Sequence, residues 1–186
     1  DQVTGRHQLL NKSGEYRVAI IYSTLVVDLF DESTGGRAEA LSSGVDLSAW
    51  VGGWHHLAVT YDGRGGATAA NGITVYLDGA PLPLWRSTSN YVAMENRTAV
   101  LAIGQESAQW DQYDGALDEL RLWNVVRTPA ELAATRNVEL AGTEPGLVAY
   151  WRFNEGTGLA VADDSLANNG AALATVAMWL AGGPLP

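Results

Sequence analysis

Residues 54–79 read WHHLAVTYDGRGGATAANGITVYLDG, and this stretch decides the fold. Side chains alternate in character along Trp54–Tyr61, and β-branched and aromatic residues alternate along Ile73–Leu77. A period of two is typical of strands, because successive side chains point to opposite faces of a sheet. Asp78-Gly79 suits the positive φ angles of a tight hairpin. We therefore predict two paired strands, a further hairpin from Pro81, and a mobile tip at residues 62–71.

Composition indicates one β-rich domain over residues 1–186. Of the 186 residues, 47% are hydrophobic and only 17% are charged, and this length is sufficient for a full core. The 21 glycines, many of which lie between apolar runs, suit an all-β protein with many turns.

Charge and cysteine content exclude several classes of partner and site. The formal net charge of −10 repels nucleic acid and anionic lipid. The chain has no cysteine, which excludes disulfides, thiolate zinc sites and a cysteine nucleophile. No apolar run is long enough to span a membrane. We therefore expect neither nucleic acid nor membrane insertion.

The rest of the chain predicts more strands and one helix. Thr128-Pro129-Ala130-Glu131 is a capping box with proline at the first helical position, which predicts a short helix near residues 129–140. Apolar alternation predicts the further strands at residues 15–21, 24–30, 38–41, 98–104, 115–124 and 147–153.

The order of these segments is similar to that of a known family. From about Glu15 to Trp179 the chain reads, in order, WHHLAVTYDG, ITVYLDG, LAIGQE, DGALDELRLWN, RTPAEL and GLVAYWRFNEGTG. This succession resembles the laminin G-like branch of the concanavalin A-like jelly rolls, which includes the pentraxins. The resemblance implies a two-sheet antiparallel sandwich with one short α-helix, in an extracellular or cell-surface module that binds glycans, proteins or Ca²⁺.

One departure from the family concerns the opening strands, because the sequence starts after the place where they would come. The AYWRF-like segment, often found early in the family, lies within residues 147–186. These residues are expected either to close this domain or to pair with a neighbouring unit. Unfinished sheets expose edges that pair with other chains. We therefore expect a homo-oligomer or strand exchange with a neighbouring subunit, in a secreted chain that is mature or excised.

The resemblance to pentraxins also implies a Ca²⁺ site. In that branch a GQE stretch followed by acidic residues supplies the oxygen ligands, which Ca²⁺ takes in numbers of about six to eight. Ser107 and Ala108 replace an amide and a carboxylate of the family, which weakens at least one site. Solvated loop carboxylates are the alternative interpretation. The candidate ligands are Gln105, Glu106, Asp111 and Asp114.

Candidate catalytic residues are few. Retaining glucanases use two carboxylates about 5–5.5 Å apart. Asp118 and Glu119 are adjacent, so within a strand they would point to opposite faces. His55 and His56 also point to opposite faces, and we predict that neither has an acidic partner. We therefore predict that the chain is not an enzyme.

Seven tryptophans offer another functional lead, since sugar rings stack on exposed indoles. Trp54, Trp123 and Trp151 lie in predicted strands and are expected in or near the core. Trp50, Trp85 and Trp110 lie in or beside predicted loops. If a glycan binds, the expected platform is Trp85, Trp110 and Tyr113.

These observations leave two classes of function ahead of a glycoside hydrolase. The first is a structural and adhesion module that self-associates through incomplete sheets into a filament or larger assembly. The second is a lectin-like module that binds a glycan or an extracellular protein, with or without Ca²⁺. The missing opening strands favour the first class.

Overall fold

The computed structural model describes residues 5–105, 111–172, 177–180 and 183. They belong to two units, Asp1–Asp114 and Gly115–Pro186. Antiparallel strands dominate both units, which confirms the predicted all-β fold.

The first unit contains two antiparallel sheets. The larger sheet has six strands in the order β8-β4-β3-β2-β1-β9, and the smaller has three in the order β5-β6-β7. The strands are β1 Arg6–Lys12, β2 Tyr16–Ile21, β3 Thr24–Asp31, β4 Gly36–Ser42, β5 Leu57–Tyr61, β6 Ile73–Leu77, β7 Ala80–Pro81, β8 Leu84–Ser89 and β9 Leu101–Ile103.

The predicted hairpins are present. Strands β5 and β6 pair from Leu57 opposite Leu77 to Tyr61 opposite Ile73. Asp78 and Gly79 both have positive φ, at 49° and 87°, and they return the chain into β7. Tyr22 and Ser23 form the β2–β3 turn with φ angles of 47° and 63°. Such turns match the twist of the strands that they join.

The main hydrophobic core involves one face of the six-stranded sheet and the smaller sheet. Alternate residues of β3, namely Leu25, Val27 and Leu29, are buried with Ile73 and Val75 of β6. Ala38 and Ala40 of β4 are fully buried in the same core. Their small side chains permit close approach of the neighbouring layer.

The predicted mobile tip is wrong in part. Gly66–Gly72 form a 3₁₀ helix in which Ala69 and Ala70 are buried in the main core. The alanines are small and apolar, so the segment packs inward although it reads as a polar loop. A second 3₁₀ helix spans Leu47–Trp50, and Leu47 is buried in that core.

The second unit contains two small sheets and the helix. Strands β10 Leu120–Trp123 and β11 Leu147–Trp151 pair, as do β12 Ala160–Val161 and β13 Ala171–Ala172. Leu140, Leu147 and Tyr150 form a small core with Trp123 packed against it. Trp151 is buried, as predicted.

Helix α1 spans Pro129–Thr135 and is shorter than the predicted 129–140. Its start is confirmed, because the Thr128 and Glu131 side chains form the reciprocal capping box. Its end is set by tertiary contacts with Arg121. That guanidinium donates to the carbonyls of Thr135 at 2.8 Å and Val138 at 2.6 Å, which satisfies acceptors at the end of the helix.

Three predicted strands are also shorter in the structure. The stretch from Trp54 joins β5 only at Leu57, and Trp54 is 44% exposed, so its predicted core position is wrong. Strand β9 begins at Leu101 and β10 at Leu120. Of the described helices, none has the length and apolar character needed to cross a bilayer.

Candidate functional site

The face of the six-stranded sheet opposite the main core carries an unusual mixture of aromatic and charged side chains. Strand register places Trp85 beside Leu41, Ser87 beside Glu39, and Ser89 beside Arg37. It also places Glu39 beside Asp28 and Arg37 beside Phe30. Residues paired in this way share one face of an antiparallel sheet. We call this surface the Trp85 face, and it comprises Arg17, Val26, Asp28, Phe30, Arg37, Glu39, Leu41, Trp85, Ser87 and Ser89.

Trp85 is the exposed aromatic residue of this face. It lies in β8, which is an edge strand, and its side of the sheet leaves the residue 54% exposed. It is the second residue of this strand and follows the connection at residues 82–83, so it lies beside a loop, as expected, but within the sheet. Because β8 has a neighbour only on its β4 side in this sheet, the indole is flanked by Leu41 and open to solvent beyond it. An exposed indole of this kind offers a flat apolar surface with a polar N–H edge.

Asp28 lies at the centre of the same face and is completely buried. Arg17 donates to its Oδ2 atom from Nε at 2.8 Å and from Nη2 at 2.5 Å. Arg37 donates to its Oδ1 atom from Nε at 2.7 Å and also pairs with Glu39. Two guanidinium groups thus pair with one carboxylate, and this shared carboxylate holds both side chains in place. The buried charge is fully paired, as buried charges need to be.

Two cavities lie at the end of the sheet that carries the β1–β2 and β3–β4 turns. The first, of about 240 Å³, adjoins the Trp85 face and is lined by Phe30, Asp31, Glu32, Gly35, Gly36 and Arg37. The second, of about 290 Å³, is lined by Ser13, Gly14, Glu32, Arg97, Thr98 and Ala99. We call them the Phe30 cavity and the Thr98 cavity. Glu32 lines both.

The chain between β8 and β9, residues 90–100, is fastened to these turns by carboxylates. Asp31 accepts from the amides of Val92 at 2.9 Å and Ala93 at 3.3 Å. Glu15 accepts from the amide of Arg97 at 2.7 Å. Hydrogen bonds to the Asp31 carboxylate hold its pKa well below the usual value. The largest contribution comes from the Ser33 hydroxyl and the next from the Val92 amide. Asp31 therefore serves as a structural anchor beside the Phe30 cavity, with its acceptor atoms already occupied.

The structure does not bring the predicted glycan platform together. Tyr113 lies beside β1, with its ring 6.5 Å from that of His7 in an edge-on arrangement. Burial raises the pKa of its hydroxyl. Trp85 is in β8, four strand spacings from β1, or roughly 19 Å. Trp110, the third predicted residue, lies outside the described residues.

The predicted Ca²⁺ ligands are only partly described. Glu106 lies outside the described residues, and Gln105 is half-buried. The Asp111 carboxylate is 3.1 Å from Arg6 Nε, so a Ca²⁺ ion there would have to compete with a guanidinium. Asp114 is exposed. Over residues 5–105, 111–172, 177–180 and 183, no three His, Asp or Glu side chains cluster in a way that could hold a metal ion. The Ca²⁺ site stays a prediction.

Asp118 and Glu119 lie just before β10 rather than within a strand. Glu119 has a positive φ of 53°, and its Oε2 atom accepts from Arg121 at 2.5 Å and from the Tyr150 hydroxyl at 2.6 Å. Asp118 accepts from the amide of Glu119 at 2.9 Å. Burial raises the pKa of the Asp118 carboxyl. Both carboxylates thus have structural partners.

The prediction that His55 has no acidic partner is wrong. Its Nδ1 atom lies 2.8 Å from Asp78 Oδ2, while Asp78 Oδ1 accepts from the amide of His56 at 2.9 Å. The His55 ring also lies 6.2 Å from the Trp50 ring. Asp78 is the turn residue of the hairpin, so this contact joins the entry of β5 to the turn after β6. The contact is structural. It could have been predicted from the register of the β5–β6 hairpin, which places Asp78 next to residues 55 and 56.

The Asp28 cluster and the Phe30 cavity were missed in the sequence. The available signal was a charged residue inside each of three consecutive strands: Arg17 in β2, Asp28 in β3 and Glu39 in β4. Charged residues at inner strand positions are unusual unless they pair across the sheet. That pattern, with the two hairpin turns, was sufficient to place the three side chains side by side.

Comparison with known proteins agrees with this architecture. A solved structure from Bacteroides ovatus ATCC 8483, named as a "putative carbohydrate binding protein", superposes with a TM-score of 0.65 at 18% sequence identity. The match covers 89% of this chain and 47% of that one, so the chain spans about half of that protein's length. At this identity the likeness concerns the fold alone. No curated protein matches the chain.

A laminin G-type family model, described as "Concanavalin A-like lectin/glucanases superfamily", matches residues 1–133. The matched region contains every strand of the first unit, including those that form the Trp85 face. This confirms the resemblance drawn from the order of the sequence segments. The chain therefore belongs to the concanavalin A-like lectin/glucanases superfamily.

Proposed function

We propose that this chain is a non-catalytic carbohydrate-binding module and that the glycan binds on the Trp85 face. The observation that carries the proposal is the exposed indole of Trp85 beside a preorganised set of charged and hydroxyl groups. Membership of a superfamily of lectins and glucanases supports the ligand class. The name of the similar Bacteroides ovatus protein points the same way.

In this proposal, apolar and polar side chains contact different parts of the sugar. The apolar face of a pyranose ring stacks on the indole of Trp85. Hydroxyl groups at the edge of the sugar then find donors and acceptors at Ser87 and Glu39. The Asp28 cluster holds Arg37 and Glu39 in position before the ligand arrives. Preorganised side chains lose little entropy on binding, so more of the contact energy appears as affinity.

The positions of two carboxylates on the Trp85 face support binding without hydrolysis. Asp28 and Glu39 are cross-strand neighbours on one face, and retaining glycosidases use two carboxylates that lie close together. Asp28, however, is fully buried under two arginines, and Glu39 is paired with Arg37. A nucleophile or general acid has to reach the glycosidic bond, and Asp28 has no such access.

Trp85→Ala tests the proposal, with Trp54→Ala as the matched control. Both tryptophans lie in the first unit and are similarly exposed, at 54% and 44%. We expect the wild-type chain to bind neutral oligosaccharides in titration calorimetry and Trp85→Ala to lose at least about tenfold in affinity. Trp54→Ala is expected to bind as the wild type does. Equal binding by Trp85→Ala and the wild type would overturn the proposal, as would release of reducing ends by the wild type.

Other predictions accompany this one. Repeating the titration with Ca²⁺ and then with EDTA tests the Ca²⁺ dependence.

An extracellular or cell-surface location also stays a prediction. Self-association into a filament or larger assembly is the competing structural role, and light scattering on the purified chain tests it. The exposed indole of Trp85 and the matching superfamily support binding, so the glycan-binding role is the one proposed.

A further inference from the structure

The Phe30 cavity adjoins the Trp85 face at a distance from Trp85 itself. Phe30 and Arg37 are paired residues of β3 and β4, and both line the cavity. Two strand spacings separate Trp85 in β8 from Phe30 in β3. Along the strands, the two residues are offset by the four positions from Leu41 to Arg37 of β4. With about 4.8 Å between strands and about 3.4 Å per residue, the separation is roughly 17 Å. A monosaccharide cannot span this distance, whereas a short oligosaccharide can.

The groups that line this cavity have complementary chemistry. Phe30 supplies an aromatic ring, and the Arg17 guanidinium lies 5.9 Å from the centre of that ring. Arg37 is 40% exposed, and within the described part of the chain its Nη1 group has no hydrogen-bond partner. Glu32 is exposed, and within the same part its carboxylate is likewise unpaired. The cavity therefore offers an apolar wall, a donor and an acceptor.

The shape of the cavity depends on two glycines. Gly36 lies under residues 90 and 91, where a Cβ atom would stand 2.4 Å from the Asn90 carbonyl oxygen, so no larger residue fits. Gly35 has a positive φ of 65° and adds no side chain to the rim. Asp31 contributes a wall but no free acceptor, because three amides and one hydroxyl already occupy both of its oxygens. The recognition groups are thus Phe30, Arg37 and Glu32.

We propose that the Phe30 cavity is a second subsite, which takes a neutral sugar ring of an oligosaccharide whose other end stacks on Trp85. This inference rests on the proposed function and extends it to a ligand class. A neutral sugar presents both hydroxyl donors and oxygen acceptors, and these match Glu32 and Arg37. A uronic acid or sulfated sugar would place an anion near Glu32 in a chain of net charge −10. The subsite therefore selects neutral over acidic glycans.

Chain length provides the test. Wild-type protein and variants are titrated with neutral gluco-, manno- and xylo-oligosaccharides from disaccharide to hexasaccharide, and with oligogalacturonates of the same lengths. For the wild type, we expect affinity to rise about tenfold once the neutral oligosaccharide is long enough to reach both subsites. Phe30→Leu keeps an apolar side chain but removes the flat ring, so it preserves the fold and is expected to abolish this rise. Thr98→Ala, in the neighbouring Thr98 cavity, is the matched control and is expected to retain it.

The outcomes separate this inference from the proposed function. If Trp85→Ala weakens binding at every length while Phe30→Leu retains the rise, the second subsite is wrong and the proposed function stands. If Trp85→Ala binds as the wild type does, the proposed function falls and the inference with it. Loss of the rise in Thr98→Ala but not in Phe30→Leu would place the subsite in the other cavity and overturn the inference. Tighter binding of oligogalacturonates than of neutral oligosaccharides would overturn the ligand class.

Discussion

Val27 and Asp28 are neighbours in β3, and both are buried, but they lie on opposite faces of the sheet and are buried by different means. Val27 is 2% exposed and packs in the main hydrophobic core with residues of the smaller sheet. Asp28 is fully buried, and the side chains that enclose its carboxylate are those of Arg17 and Arg37, from its own sheet. Hydrophobic burial and charge pairing thus operate on the two sides of a single strand.

The difference shows how one sheet can supply both stability and recognition. The core face contains apolar side chains that exclude water. The Trp85 face keeps charged groups in fixed positions because each is held by an opposite charge. Such a face can present Arg37 and Trp85 to a ligand without becoming an exposed apolar patch. Two substitutions compare these two ways of burying a side chain, and a third concerns a carboxylate that is held without cations.

The largest expected effect comes from Asp28→Ala. Removal of this carboxylate leaves Arg17, of which 13% is exposed, and Arg37 without their common partner. Because Arg37 remains partly solvated, we expect a loss of about 3 kcal/mol in the free energy of unfolding, at the lower end for a broken buried pair. Urea unfolding measures this loss. Asp114→Ala, which removes an exposed carboxylate, should change stability by less than about 0.5 kcal/mol. A loss below about 1 kcal/mol for Asp28→Ala would mean that the cluster contributes little to stability.

Val27→Ala is expected to have the next largest effect. It removes two methyl groups from the main core, for which transfer and cavity contributions together amount to about 2 kcal/mol. The same urea experiment measures it, with Val100→Ala as the control because Val100 is 84% exposed. If Val27→Ala proves more destabilising than Asp28→Ala, the hydrophobic face would be the more sensitive of the two.

The smallest expected effect concerns Asp31, a buried carboxylate held by three amides and one hydroxyl rather than by cations. Its pKa is lowered in the folded protein, so its stabilising contribution is present above the ordinary value near 3.9 and is lost as the pH falls through the lower folded pKa. We expect the melting temperature of the wild type to fall more than that of Asp31→Asn between about pH 5 and pH 2. The effect is small because protonation weakens only the hydrogen bonds that Asp31 accepts and removes no apolar side chain from the main core. Parallel curves for the two proteins would show that Asp31 does not contribute in this way.

Local patterns explain the parts of the fold that could be predicted. The alternation in β5 and β6, the Asp78-Gly79 turn and the capping box at Thr128 each depend on residues within a few positions of one another. Boundaries were less predictable. Helix α1 ends at Thr135, where the distant Arg121 takes the nearby carbonyls, and β5 begins at Leu57, where pairing with Leu77 begins. In both cases the limit is set by a partner outside the local pattern.

The candidate site was predicted only in part for the same reason. Trp85 was identified from its residue type, but its proposed companion Tyr113 lies beside a different strand, four spacings away. The Phe30 cavity is lined by residues around the β3–β4 turn, and that turn packs at Gly36 against the chain at residues 90–91, more than fifty residues away in sequence. A sequence pattern gives no distance between such segments.

Strand period and turn chemistry are local properties of the backbone. The order of residues was therefore sufficient to predict antiparallel strands joined by tight turns, in a succession similar to that of the laminin G-like jelly rolls. Three features required the folded structure: which face of each strand meets the core, the pairing of Asp28 with two arginines, and the exposure of Trp85 at a sheet edge. Those features depend on register between strands, and register is the result of many distant contacts satisfied together.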